Sequence, residues 1–181
     1  MELELSMKER LNLINQYKIL LELADKDSLE KKEYENLIEI LERGYTRYYS
    51  MAISEISEEE LSDKECKAVV DILDLYSDLY FYWHNDDEIQ NTIDKSKVLF
   101  KGFDGQNEVK YLDLYKFLLN DLDRFSDIKD LHESRILNEY DSHGFSPNLA
   151  DLKMMVSRWK EIKSKETFEK LTLEDFKYIL K

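Results

Sequence analysis

One stretch decides the fold: VVDILDLYSDLYFYW, which runs from Val69 to Trp83. At 100° per residue, its apolar side chains cover most of the circumference of an α-helix and leave one narrow polar strip. The strip holds Asp71, Asp74 and Asp78, and we interpret it as a solvated face. A helix that is apolar on most sides is buried from several directions. The stretch therefore predicts the central helix of an all-α protein, or a helix that is shared with a second subunit.

Helical patterns continue on both sides of this stretch. Only four glycines and one proline occur in 181 residues, whereas an average chain has about 7% Gly and 5% Pro. Apolar stripes at helical spacing predict helices over residues 6–24, 27–44, 45–56, 62–83, 111–122, 147–159 and 172–180. We expect Asp27 and Ser146 to be the N-caps of two of them. The sequence predicts that residues 1–181 form a single-domain multi-helical bundle of about six to eight helices with a buried central helix.

Charge and hydropathy exclude several classes of partner. The net charge is -14, from 40 acidic and 26 basic residues, so a duplex nucleic acid or an anionic membrane would be repelled over most of the surface. No apolar run approaches the roughly 18 residues that span a bilayer, and no basic segment with an apolar core follows Met1. We therefore expect a cytoplasmic protein with no direct contact to nucleic acid or membrane. Cys66 is the only cysteine, which excludes an intrachain disulfide.

The glycines occur in three short motifs: ERGY at 42–45, GFDG at 102–105 and HGFSP at 143–147. An aromatic residue follows a glycine in each motif, which indicates turns that pack inward. Around the first motif, Arg43 and Arg47 stand among Tyr45 and two further tyrosines, and such a set can hold an anionic or planar ligand. Alternatively, the arginines pair with the abundant carboxylates while the tyrosines pack.

The sequence spells out no standard catalytic motif, no cofactor motif and no metal-ligand set. Glu139 and His143 are four residues apart, but two ligands do not make a metal site. If the three turns converge, Asp104 and His143 would join Arg43, Tyr45 and Arg47 in one ligand-binding site. The alternative is a hydrolase-like enzyme in which His143 is the general base and Asp104 orients it or binds a cation.

Several short stretches, taken in order, resemble the YfbU family of bacterial and archaeal proteins. They are Asn15-Gln16-Tyr17-Lys18, Glu42-Arg43-Gly44-Tyr45, Gly102-Phe103-Asp104, Tyr111-Leu112 and His143-Gly144-Phe145, and the resemblance extends from about residue 11 to 159. It implies an all-helical, cytoplasmic domain that self-associates, and it supplies no catalytic residues to carry over. Some members append a helix-turn-helix segment, which implies a ligand-sensing or regulatory role.

These observations lead to a functional hypothesis. We expect a non-catalytic module that binds a small anionic or aromatic ligand, or acts as a regulatory adaptor, and that needs no cofactor. We also expect a homodimer or higher homo-oligomer, because the run from Tyr76 to Trp83 holds more aromatic surface than a small bundle readily covers.

Overall fold

The computed structural model describes residues 3–25, 28–53 and 60–181, and within them the protein is all-α, as predicted. Eight α-helices occur in these residues, which confirms the predicted number. Their bounds are α1 Met7–Leu23, α2 Leu29–Arg43, α3 Asp63–His84, α4 Asp87–Thr92, α5 Val109–Asn120, α6 Ser126–Glu133, α7 Leu149–Lys163 and α8 Leu173–Ile179. Two 3-10 helices cover Thr46–Ile53 and Lys95–Lys97. The chain divides into two compact units, Met1–Glu60 and Leu61–Lys181, and the single-domain organisation of residues 1–181 stays a prediction.

The first unit is a helical hairpin of α1 and α2 followed by a 3-10 helix. A capping box between Ser6 and Glu9 starts α1, and Gly44 ends α2 in the left-handed conformation that the sequence predicts, with φ 72°. Its core holds Ile14, Leu37, Ile38, Leu41, Tyr49 and Ala52. The side chain of Arg10 donates to the carbonyl oxygen of Leu41 at 2.9 Å, which gives one terminal carbonyl of α2 a partner.

The second unit is built around α3, and this confirms the predicted central helix. A capping box between Ser62 and Glu65 starts α3. Helices α4, α5, α6 and α7 all pack against it. Ile72, Leu73, Leu75 and Leu79 are fully buried. They belong to a core of 26 buried side chains among the described residues, contributed mainly by the six α-helices of the unit and by the segment from Val98 to Phe103.

Three local predictions need correction. Asp27 lies outside the described residues, and Ser28 caps α2 instead, with its side chain accepting from the backbone of Lys31. Helix α7 begins after Asn148 and not after Ser146, because the Asn148 side chain accepts from the backbone N–H groups of Ala150 and Asp151. The third predicted helix, 45–56, is a 3-10 helix as far as Ile53, and Ile56 lies outside the described residues.

The acidic strip of α3 does not simply face solvent. Asp71 accepts hydrogen bonds from Lys67 on its own helix and from Lys160 on α7, and its side chain is only 14% exposed. Asp78 accepts from the indole Nε1 of Trp159 at 2.9 Å and from Lys163. The solvated-face interpretation is therefore wrong for Asp71 and Asp78, which join α3 to α7.

Candidate functional site

The second and third glycine turns lie side by side in the second unit. The N–H of Ser142 donates to the carbonyl oxygen of Phe103 at 2.9 Å, within an isolated parallel bridge between Phe103 and Asp141. The carboxylate of Asp141 then accepts the N–H of Gly105 at 2.9 Å and that of His143 at 2.7 Å. One buried aromatic and one carboxylate thus hold two turns that are almost 40 residues apart in sequence.

Close backbone approach explains why the second turn carries glycines. A Cβ atom on Gly102 would lie 1.7 Å from the carbonyl oxygen of Tyr140, and Gly102 has a φ of +94°. A Cβ atom on Gly105 would lie 2.2 Å from Oδ2 of Asp141. The two glycines let the 102–105 turn touch the segment that leads to His143.

His143 is held between two carboxylates. Its Nε2 lies 2.6 Å from Oε2 of Glu139, and its Nδ1 lies 3.4 Å from Oδ2 of Asp141. The hydrogen bond to Glu139 and then the charge of Asp141 raise the pKa of His143 above its ordinary value. Both ring nitrogens of His143 therefore face carboxylate oxygens. This arrangement suits a brace for the turn, not a general base.

Asp104 is occupied with its own turn. Its Oδ1 accepts the N–H of Gln106 at 2.9 Å, and its Oδ2 accepts the side-chain amide of Asn107 at 2.5 Å. These hydrogen bonds, with the one from Gln106 the largest cause, hold the pKa of Asp104 below its ordinary value. Asp104 raises the pKa of His143 only as a minor contribution after Glu139 and Asp141. Among the described contacts, the Asp104 carboxylate bonds to Gln106 and Asn107 and not to the imidazole of His143.

Arg43, Tyr45 and Arg47 lie in the first unit, apart in the chain from Asp104 and His143 in the second. All three side chains are exposed. Nε of Arg43 lies 3.9 Å from Oε1 of Glu39, which is a loose surface pair. Of the neighbouring tyrosines, Tyr49 is buried and Tyr48 is half exposed. Among the described residues, the structure thus brings the turns of Asp104 and His143 together through Asp141 and shows no contact among the side chains of Arg43, Tyr45 and Arg47.

A pocket beside the third glycine motif, which we call the Phe145 pocket, was missed by the sequence analysis. Its volume is about 280 Å³, and its lining includes Tyr76, Lys97, Leu99, Lys101, Phe145 and Met155. A second depression of about 390 Å³ continues from it past Leu99, Lys101 and Phe145 to His143. Lys97 and Lys101 were missed because they lie in a segment that shows no motif. The one sequence feature that could have indicated them is the spacing of three lysines, Lys95, Lys97 and Lys101, within seven residues of an acidic chain.

Comparison with known protein families identifies the chain. The YfbU domain matches residues 3–181, which is essentially the whole sequence. The protein therefore belongs to the YfbU family, as the order of its glycine motifs indicates. Across the described ranges, we find no helix with the length and hydropathy needed to cross a membrane.

Proposed function

We propose that this YfbU-family protein is a non-catalytic, cytoplasmic binding module, acting as a homo-oligomer, that takes a small anionic ligand with an apolar body in the Phe145 pocket. The observation that carries the proposal is the pair Lys97 and Lys101 in the lining of a pocket whose other lining residues are mostly apolar, with Ser96 and Ser146 as further polar groups. Ligand pockets in proteins combine an apolar lining with a few placed polar groups, and this pocket has that composition.

The charges of the two lysines are not neutralised by direct pairing. Among the described residues, neither Lys97 nor Lys101 has a carboxylate within ion-pairing distance. The charges of both lysines lower the pKa of Asp94, after the larger effect of its hydrogen bonds from Ser96. In a chain with 40 acidic residues, two unpaired cations beside one cavity favour a negatively charged ligand.

The apolar lining residues of the Phe145 pocket favour a ligand that has an apolar body next to its negative charge. Tyr76 is buried, whereas Phe145 is 78% exposed at the pocket mouth. Large exposed aromatic residues next to a cavity lose unfavourable contact with water when a ligand covers them. A small aliphatic or aromatic carboxylate satisfies both the lysines and this apolar lining.

The state of His143 separates this proposal from the hydrolase alternative. A general base must be unprotonated and within reach of the proton that it takes. In the structure His143 faces two carboxylates that favour its protonated form. We therefore assign His143 the role of bracing its turn beside the second depression, with Asp141 as its partner.

A ligand screen with matched variants tests the proposal. Thermal shift and ligand-observed NMR are run with short aliphatic acids and benzoate-sized aromatic acids on wild type, K97Q/K101Q and K95Q. Lys95 is the control, since it lies in the same 3-10 helix but over the ring of Trp83. A ligand at a hundredfold excess over its Kd stabilises by about 2.7 kcal/mol. We expect this stabilisation in wild type and K95Q and its loss in K97Q/K101Q.

Two outcomes would overturn the proposal. Equal stabilisation of K97Q/K101Q would place the ligand elsewhere, and the variant Arg43→Ala then tests the exposed group of Arg43, Tyr45 and Arg47. Consumption of a bound acid, followed by product analysis, would replace the binding module by the enzyme that uses His143 and Asp104.

A further inference from the structure

Helix α1 has an outer face that no other described residue of the first unit covers. Ile14 is its buried residue, and Tyr17 donates from its hydroxyl to the carbonyl oxygen of Ala52 on the inner side. On the outer side, the side chains of Met7, Leu11, Ile19 and Leu23 are 83%, 56%, 61% and 77% exposed. Four large apolar side chains on one 17-residue helix are more than a solvated surface needs.

The exposed residues are arranged symmetrically about Asn15. Leu11 lies four positions before Asn15 and Ile19 lies four positions after it. In the same way, Lys8 and Glu22 lie seven positions before and after Asn15, and Met7 and Leu23 lie eight positions before and after it. At 100° per residue, offsets of four and seven residues keep a side chain within about 40° of Asn15, whereas an offset of eight residues places it about 80° to one side. All of these residues, including Asn15 itself, are exposed.

We propose that this face is the self-association surface of the protein, where α1 packs antiparallel against α1 of a second copy around a two-fold axis at Asn15. In a two-fold contact, each residue meets its counterpart twice. Leu11 then meets Ile19 of the second copy, whereas Met7 and Leu23 lie on opposite flanks of the contact. The two Asn15 amides face each other on the axis, where they hydrogen-bond.

The charged residues Lys8 and Glu22 also fit this antiparallel alignment of the two α1 helices. Antiparallel packing brings Lys8 opposite Glu22 of the second copy, and the symmetry repeats this pair. Within the described residues, neither Lys8 nor Glu22 has an ion-pair partner. By contrast, Lys18 of the same helix pairs with Glu42 at 2.9 Å. The unpaired charges are thus the two that a second copy would match.

The hairpin itself gives a physical reason for a partner. Its core has six buried residues among those described, and small units of this kind bury little surface alone. Two hairpins joined through α1 make a four-helix arrangement in which each α1 is covered on both sides. The inference rests on the proposed homo-oligomer and specifies its contact.

Charge reversal tests the register in the full-length chain. The substitution K8E or E22K places like charges opposite each other in both symmetry-related pairs of residues 8 and 22. We therefore expect the dimer dissociation constant to rise about tenfold or more in each variant. The double variant K8E/E22K restores opposite charges and should return to the wild-type value. Mixing K8E with E22K chains should also restore dimers, because both pairs are then opposite in sign. E33K on α2 is the control and should have no effect.

A cysteine on the proposed axis tests the geometry independently. N15C in a C66S background should form a disulfide-linked dimer under mild oxidation, since two copies of residue 15 face each other, whereas E33C in the same background should not. The oligomeric state is read by sedimentation against the chain mass of 21.8 kDa, and circular dichroism checks that each variant is folded. Wild type that is monomeric at every concentration would overturn both the homo-oligomer and this contact. A wild-type oligomer that is unaffected by K8E and E22K would overturn the contact alone.

Discussion

The carboxylate of Asp141 accepts the backbone N–H of Gly105 at 2.9 Å, across 36 residues of sequence. The same carboxylate accepts the N–H of His143, so one side chain fixes the relative position of two turns. Those hydrogen bonds, first from His143 and then from Gly105, hold the pKa of Asp141 below its ordinary value. Asp141 is therefore the residue that shapes the edge of the candidate site.

The close approach of Gly102 to Tyr140 predicts that alanine substitutions at Gly102 and Gly144 will lower the free energy of unfolding by different amounts. In Gly102→Ala the new Cβ would meet the Tyr140 carbonyl oxygen at 1.7 Å, whereas in Gly144→Ala nothing lies within 4 Å. Both glycines have positive φ, so both variants carry backbone strain of about 1 kcal/mol. We expect Gly144→Ala to cost about that amount and Gly102→Ala about 3 kcal/mol or more. Chemical denaturation of both variants measures the difference, and equal losses would contradict the close approach.

Two histidines of the second unit should titrate on opposite sides of the ordinary value. The pKa of His143 is raised by Glu139 and Asp141. The pKa of His132 is lowered by burial, where its Nε2 lies 2.8 Å from the Tyr115 hydroxyl oxygen and its ring stacks on Tyr140. NMR titration should show His132 titrating below about 6.5 and His143 above it. The reverse order would contradict the described environments.

These shifts have opposite consequences for stability. Since the folded pKa of His143 is raised, its contribution is complete below about pH 6.5 and is lost as pH rises through the folded pKa. The folded pKa of His132 is lowered, so the protein loses stability as pH falls from about 6.5 through the folded pKa of His132. Melting curves of wild type and His143→Asn should therefore differ most at about pH 6 and converge toward pH 9. Asparagine is the matched replacement because it tolerates the positive φ of 48° at this position.

The indole of Trp159 provides a test of the contact between α3 and α7. Its Nε1 donates to Asp78 at 2.9 Å, and Trp159 is 6% exposed. Trp159→Phe keeps most of the apolar volume but removes this donor, so we expect a loss of about 1–3 kcal/mol. Trp83→Phe is a comparison variant, because Trp83 donates to the Ile93 carbonyl oxygen only ten positions away in the sequence. A loss well below 1 kcal/mol for Trp159→Phe would show that Asp78 is satisfied by Lys163 alone.

Local signals in the sequence predicted much of the fold. The Ser62 and Glu65 pair and the left-handed Gly44 depend on residues within four positions, and both were found where expected. The start of α7 was missed by two residues: Glu108, 41 positions away, accepts the Leu149 N–H, and Asn148 supplies the cap. Sequence periodicity contains no information on such distant partners.

The candidate site was harder to predict for the same reason. The motifs indicated that the turns at 102–105 and 143–147 were important, but the closure through Asp141 is a long-range contact. Lys97 and Lys101 belong to no motif, and only the folded structure shows that they line a pocket together with Phe145. Likewise, the pairing of Asp71 with Lys160 joins residues 89 positions apart. The acidic strip of α3 therefore looked solvated from the sequence alone.

The central helix gives the sharpest test of the fold, because two of its apolar residues have opposite environments. Leu79 is fully buried, whereas Phe81 is 60% exposed two positions later. Leu79→Ala should cost about 2–5 kcal/mol, because it removes apolar contacts and leaves a cavity in the core. Phe81→Ala should change the free energy of unfolding by no more than about 0.5 kcal/mol, although it deletes the larger side chain. Urea denaturation of both variants measures the contrast. A larger loss for Phe81→Ala would mean that another surface covers Phe81 in solution, and concentration dependence of that loss would identify the surface as a second copy of the chain.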